Sequence, residues 1–276
     1  MMRSLWTAAS GMRAQQVNVD TIANNVANIN TIGYKSQQAS FKSLLYQNLQ
    51  STSTNNAGEN KPVAAEVGLG SRVAAITSTF TQGNLTHVEN PFSVALEGDG
   101  FFQIRTQSGE LQYTRDGSFE ISPVANGNML CTSDGNPVLD AYGNQIILPS
   151  NRVATDLVVN QDGTLAFPDG TGNPAVITDA NGRPVKFGIY QFNNPAGLSK
   201  EGSNNYSVTA ASGAAVAENG NAAVKQTKTH QYYTEASNVD VANEMVNLIV
   251  AQRAYEMNSK AIQASDEMMQ QANALR

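Results

Sequence analysis

Residues 237–276 read SNVDVANEMVNLIVAQRAYEMNSKAIQASDEMMQQANALR, a stretch with no Gly and no Pro. Val241, Met245, Leu248, Tyr255, Ile262 and Met269 follow one another at steps of four, three, seven, seven and seven. That is a helical seam at heptad period, which favours winding around another helix. Ser237-Asn238-Val239-Asp240, just before the apolar run, reads as a capping-box start. Asp240 and Glu244 complement the positive end of the helix dipole and Arg276 the negative end. Glu256 and Lys260 form an i,i+4 pair in the favourable orientation. A helix of this length spans about 55–60 Å, so its seam must find a partner elsewhere in the chain or in another copy.

The other end of the chain offers one. Between Ser4 and Ile29, Leu5, Ala9, Met12, Gln16, Val19, Ala23 and Val26 alternate at steps of four and three. Gly11 weakens this helix by roughly 1 kcal/mol relative to Ala, and Gly33 reads as its C-terminal breaker. The predicted fold class is therefore α+β, with long N- and C-terminal helices paired as a coiled coil, an extended connector and a central all-β domain. Residues 1–34 and 236–276 form the terminal-helix domain, 35–82 the connector, and 83–235 the β-rich domain. The seams are thin, with Ala, Gln and Ser at several core positions, and such a pair is marginal in isolation. The ends are expected to be poorly ordered until other subunits surround them.

Between the helices, Phe41 to Tyr46 reads as a short helix or extended piece packing back on the first helix. Gln47 to Gly58 reads as a long loop, and Val63 to Thr81 as extended chain. All nine prolines fall between Pro62 and Pro195. Turn pairs recur, among them Asp99-Gly100, Asp116-Gly117, Asn126-Gly127, Asp134-Gly135, Asp162-Gly163, Asp169-Gly170 and Asn181-Gly182. Short apolar runs such as Phe101–Ile104, Met129–Cys131 and Val185–Phe192 lie between them, which is the grammar of hairpins. Asn193 to Asn205 reads as turn-rich, and Gln226 to Ala236 as a lead into the last helix.

The 276 residues suffice for one large or two modest domains, and the net charge of −6 comes without a Lys/Arg cluster. Nucleic-acid binding is not indicated. Charged residues make up only 14% of the chain. That fits an ordinary soluble surface, or one whose outer faces become subunit interfaces, where charge is depleted. Cys131 stands alone and forms no internal disulfide. No apolar run approaches membrane-spanning length. Arg3 and the short mixed run after it do not form an ordinary signal peptide. His87 and His230 belong to no metal-spaced or triad-like cluster. Asn160-Gln161-Asp162-Gly163 lacks the acidic positions of a calcium loop and reads as a hairpin turn. No cofactor, metal or small-molecule substrate is expected. A paired-carboxylate site among the scattered acids stays open, but no motif points to one.

The ends resemble the flagellar rod and hook family of axial proteins. At the N-terminus the likeness lies in Ser4-Leu5-Trp6, Gly11-Met12, Gln15-Gln16, Ala23-Asn24-Asn25-Val26-Ala27-Asn28, Thr31-Ile32-Gly33-Tyr34-Lys35 and Leu44-Leu45-Tyr46-Gln47. At the C-terminus it lies in Ser237-Asn238-Val239-Asp240, Gln252-Arg253-Ala254-Tyr255-Glu256, Asn258-Ser259-Lys260 and Asp266-Glu267-Met268. In the middle, Gly98-Asp99-Gly100-Phe101-Phe102 and Tyr113-Thr114-Arg115-Asp116-Gly117 look like the family's β-domain signatures. The opening Met2-Arg3-Ser4-Leu5-Trp6 and the 47–69 insert are similar to the distal-rod branch. Tyr232 and Thr234 depart from the Gly and Leu that the family often places ahead of its Glu.

The resemblance implies a non-enzymatic structural subunit that polymerises with itself into a tube, in the basal body and outside the cytoplasm. It implies export through the flagellar export apparatus without a cleaved signal. The implied partners are proximal rod proteins, a hook or hook-adjacent axial protein and, where an outer membrane exists, ring proteins around the rod. Seam and motif together place the assembly interface at Leu5, Trp6, Met12, Val19, Asn24, Asn25, Val26, Asn28, Tyr34, Val241, Met245, Leu248, Tyr255, Ile262 and Met269. The asparagines either mark a fraying helix end or bond neighbouring backbones in the tube. Trp6, on the side of Ser10, Arg13 and Val17, is either a packed aromatic or an inter-subunit anchor. Tyr255 reads as core. The insert is a flexible loop or a stiffening contact between subunits. The alternatives are another axial member of proximal-rod or hook type, a secreted wall-acting enzyme, or an adhesin-like module.

Overall fold

Helix α1 spans Met2–Ala27 and helix α2 Val241–Ala274. The structure is a computed structural model that describes residues 2–50, 65–124, 127–150, 152–168, 174–179, 182–220 and 224–274. The chain divides into two compact units. One comprises Met1–Ala27, Gln37–Ser78 and Asp240–Arg276, the other Asn28–Ser36 and Thr79–Val239.

In the first unit, α2 begins at an Asp240 cap rather than at Ser237: Asp240 Oδ1 accepts from Ala242 N at 2.9 Å and Oδ2 from Asn243 Nδ2 at 2.7 Å. Its 34 residues extend about 51 Å. The expected role of Arg276 lies outside the described residues. The expected Glu256–Lys260 pair is replaced by Arg253–Glu256, 3.1 Å apart one turn earlier. α1 stops at Ala27, where a run of asparagines, poor helix formers, turns the chain. Gly33 comes six residues after that stop and is therefore not the helix breaker. It takes φ +70° in a later turn, where a Cβ would meet Asp116 N at 2.9 Å.

α1 and α2 run antiparallel in one register. Ser4 Oγ lies 3.2 Å from Ser265 Oγ. A Cβ on Gly11 would come within 2.9 Å of Asn258 Nδ2, and Asn25 Nδ2 donates to Glu244 Oε1 at 3.0 Å. The same register sets Asn18 opposite the buried Ala251. The helices thus meet along a column of small and polar residues at heptad spacing, and the Gly11 position permits the close approach. Leu248, Ile262 and Met269 flank this column half-buried. Val241 and Met245, expected in the same seam, are exposed instead. At 3.6 residues per turn the seam runs back from Leu248 to Glu244, not to Met245.

The other face of α1 packs on a ribbon of β1 (Gln37–Ser43), β2 (Tyr46–Gln50), β3 (Ala65–Gly68) and β4 (Ser71–Ser78). β1 pairs antiparallel with β4, and β2 with β3. Leu44 N to Gly70 O and Leu69 N to Leu45 O bridge the two ladders. Residues 47–50, read from sequence as loop, are strand because they gain this partner. The rest of the expected loop, and 51–64 of the insert, lie outside the described residues.

The second unit is β-rich. Its largest sheet has six strands in the order 199–202, 205–207, 111–114, 101–105, 189–191 and 216–217, all antiparallel. Below it Phe102, Phe119 and Phe187 meet edge-on or stacked within a core that includes Leu96, Ile104, Leu130 and Leu165. Phe101, Tyr113, Phe192, Leu198 and Tyr206 form a second cluster. Turns at Gly135, Gly163 and Gly182 take positive φ as Asx-Gly turns require. Asp116-Gly117 is not a hairpin turn. Gly117 passes so close to Val94 that a Cβ would lie 1.8 Å from its carbonyl oxygen. Two stretches read as irregular are strands: Ser199–Gly202 with Asn205–Ser207, and Lys228–Gln231 with Tyr233–Glu235. Each is too short to show a period. Tyr232, where the family often has Gly, keeps a glycine-like φ of +64° between the last two.

Burial pushes the Tyr206 phenol up to about 12, so the folded chain keeps a proton that the unfolded chain sheds near pH 10. Stability is full below pH 10 and falls as pH rises toward 12, by roughly 2 kcal/mol from this group. Urea midpoints at pH 9 and pH 11.5 should show the decline, and Tyr206→Phe should make it shallower.

Candidate functional site

In the first unit, Asn25 is 1% exposed at the end of α1. Its Nδ2 donates to Gln37 O at 2.8 Å and to Glu244 Oε1 at 3.0 Å, and its Oδ1 accepts from Gln37 N at 2.9 Å. One amide therefore ties the end of α1, the start of β1 and the first turn of α2. Both amide hydrogens are used within its own chain.

In the second unit, three motif segments that are far apart in sequence converge on one carboxylate. Glu235 Oε1 accepts from Lys35 Nζ at 2.6 Å and from Gly83 N at 2.9 Å. Its Oε2 faces Arg115 Nη1 at 3.4 Å, and its carbonyl accepts from Gly33 N at 2.8 Å. Lys35 also donates to Thr81 O, and Arg115 Nη2 to Gly98 O at 2.6 Å. All three side chains are essentially inaccessible. Burial pulls the Lys35 ammonium below its usual range, against the raising effect of Glu235. The Arg115 guanidinium, lowered by burial as well, lies 5.1 Å from the Phe101 ring centroid. Nearby, Asn238 Nδ2 donates to Thr79 O and its Oδ1 accepts from Ser36 N, while Thr79 N donates to Ser36 O. The segments that leave this unit at Ser36, Thr79 and Val239 are thus tied to one another. Such a cluster fixes geometry. It offers no nucleophile and no exposed acid–base pair.

The remaining expected interface residues divide by exposure. Leu5, Met12, Val19, Val26 and Asn28 are half-buried in place, and Asn24 is exposed. Tyr34 is buried inside the second unit. Tyr255, read from sequence as core, is exposed at 43%, as much as Val241, and with Gln16, Val19, Gln252 and Glu256 lines a cleft of about 410 Å³. Trp6 is 73% exposed and rims another of about 410 Å³. Sequence reading missed Ala251, Asn258 and Ser265, which are small or polar and give no hydrophobic signal. It also missed the ionic cluster, whose members carry no spacing. Among the described residues no group of three His, Cys, Asp or Glu could hold a metal, and no helix is long and apolar enough to cross a membrane.

Terminal helices tied into one unit with apolar faces left open, and a β unit whose buried charges serve only to hold chain in place, define a subunit of a larger assembly. Comparison specifies which. Residues 5–35 match the model for the flagella basal body rod protein, 95–167 that for the flagellar hook protein FlgE/F/G D1 domain, and 230–275 that for the flagellar basal body rod FlgEFG protein C-terminal region. The flagellar basal-body rod protein FlgG of Borreliella burgdorferi is 43% identical, over 100% of this chain and 99% of its own. FlgG of Caulobacter vibrioides is 38% identical over the whole of both chains. The flagellar hook-basal body complex protein FlhP of Bacillus subtilis is 33% identical over the same extent. The chain belongs to the FlgG family of flagellar basal-body rod proteins, and is a structural axial subunit of the distal rod, not an enzyme.

Glu235→Gln should leave two buried cations without compensation and cost about 3–5 kcal/mol. Urea unfolding followed by near-ultraviolet circular dichroism of the tyrosines would read this directly. Trp6 fluorescence reports the first unit separately, since Trp6 is the sole tryptophan.

Proposed function

We propose that this chain polymerises into a rigid helical tube that encloses the axial export channel and carries motor torque to the hook. The terminal helices form the inner layer of that tube. The observation that carries the reading is the surface of α2. Val246, Ile249, Val250, Met257 and Met268 are all exposed on a helix whose other side already packs on α1. A helix apolar on more than one side is suited to an environment of other helices. The 47–69 insert adds a second contact between subunits and so contributes stiffness. Neighbours along the axis are proximal rod proteins on one side and a hook or hook-adjacent protein on the other, with ring proteins around the rod where an outer membrane exists. The chain reaches this place outside the cytoplasm through the flagellar export apparatus.

Mass spectrometry and antibody labelling of purified basal bodies test the placement. Label on the rod next to the hook is expected. Label on the hook or near the inner membrane would change the member, and absence would sink the reading. Leu248→Asp and Val26→Asp place a charge in the half-buried helix pair. Each should abolish rod assembly and swarming while leaving the tyrosine circular dichroism of the β unit unchanged. Normal rods in either strain would overturn the role given to the pair.

A further inference from the structure

The face of α2 that packs on α1 is Leu248, Ala251, Tyr255, Asn258, Ile262, Ser265 and Met269, at alternating steps of three and four. A second set follows the same rhythm one residue earlier: Asn247, Val250, Ala254, Met257, Ala261, Ala264 and Met268. All but the half-buried Ala254 are exposed, Met257 at 71%. At 3.6 residues per turn it lies about 100° round the helix from the first, so the same α1 cannot cover both. Among the described residues, no charged side chain falls within the set.

α1 carries the counterpart. Trp6, Ser10, Arg13 and Val17 follow at steps of four, three and four and form one wall of the cleft of about 410 Å³. Leu44, Leu69 and Val73 close it from the ribbon side. Met257, Ala261, Ala264 and Met268 repeat those steps, and both segments are about 16 Å long. The cleft is walled by bulky residues and the stripe has alanines at its centre, so a Trp6 ring has room. The charges also complement. Arg13 and Arg72 line the cleft, while Glu256, Asp266 and Glu267 flank the stripe against Arg253 and Lys260, with Arg253 already paired to Glu256.

We infer that the Trp6 cleft of one subunit receives the Met257–Met268 stripe of a second copy of this chain. The inference rests on the self-assembly reading and names its contact surfaces. The two surfaces are different patches, so the contact is heterologous. Repeated, it builds an open helix rather than a closed dimer.

Complementation on the full-length chain tests this. Ala9→Phe fills the cleft and leaves the stripe intact; Met257→Glu charges the stripe and leaves the cleft intact. By sedimentation velocity at rising concentration, the unaltered chain should form open-ended oligomers. Each variant alone should need at least tenfold higher concentration to associate. An equimolar mixture should give heterodimers, because one sound cleft meets one sound stripe. Far-ultraviolet circular dichroism checks that helix content is unchanged, and Trp6→Ala replaces Ala9→Phe if that variant loses helix. Variants that associate like the unaltered chain, or a mixture that stays monomeric, would overturn the inference while leaving the rod reading intact. An unaltered chain that stays monomeric but is present in basal bodies would overturn self-docking alone. Absence from basal bodies would overturn the rod reading and this inference with it.

Discussion

The Glu235 carboxylate is the constraint on which the second unit's chain path depends. Four segments meet on this residue: the turn after α1 through Lys35 and Gly33, the strand lead-in at Gly83, the central sheet through Arg115, and the last strand that carries it. Desolvating three charges is costly, and the pairings only offset that cost. What the cluster contributes is a single permitted geometry, since any other path for residues 28–36 would strand a buried ammonium or guanidinium. Asn25 does the same work in the first unit with neutral groups. Both devices fix where the helices start and stop. Neither adds apolar area.

That division of labour accounts for the character of the helix pair. Its contact column is Ser4, Gly11, Asn18 and Asn25 against Ser265, Asn258, Ala251 and Glu244. Small residues bring the backbones close but bury little apolar surface, so the pair is specified more by polar matching than by hydrophobic gain. The apolar surface that would have gone into a thicker seam instead stands on the outside of α2. Specification within the subunit and adhesion between subunits are thus assigned to different faces of one helix.

The sequence was legible where periodicity was long and opaque where it was short. Both helices, their pairing and the β character of the middle follow from spacing and turn residues. Part of the seam did not. A reading tuned to large apolar side chains selected Val241 and Met245, which are exposed, and passed over Ala251, Asn258 and Ser265, which are not. The strands at 199–207 and 228–235 have three or four residues each, below the length at which alternation can be recognised. The ionic cluster was invisible for another reason. Lys35, Arg115 and Glu235 sit 80 and 120 residues apart, and nothing in a linear pattern says that they meet. The family motifs marked Lys35 and Arg115 individually without revealing their common partner. The departure at Tyr232 shows the converse: a residue type changed while the left-handed backbone it would predict was kept, held by Tyr232 N to Ser93 O and Val88 N to Tyr232 O.

The antiparallel register of α1 and α2 has a temporal consequence. Ser4 meets Ser265, 261 residues further along the chain, so α1 is made long before its partner helix. Closing so long a loop is entropically expensive and slow. The β unit, whose strands pair mainly with near neighbours, can settle first. The first unit is therefore the late-forming part of the molecule. Order of folding is thus written into chain connectivity.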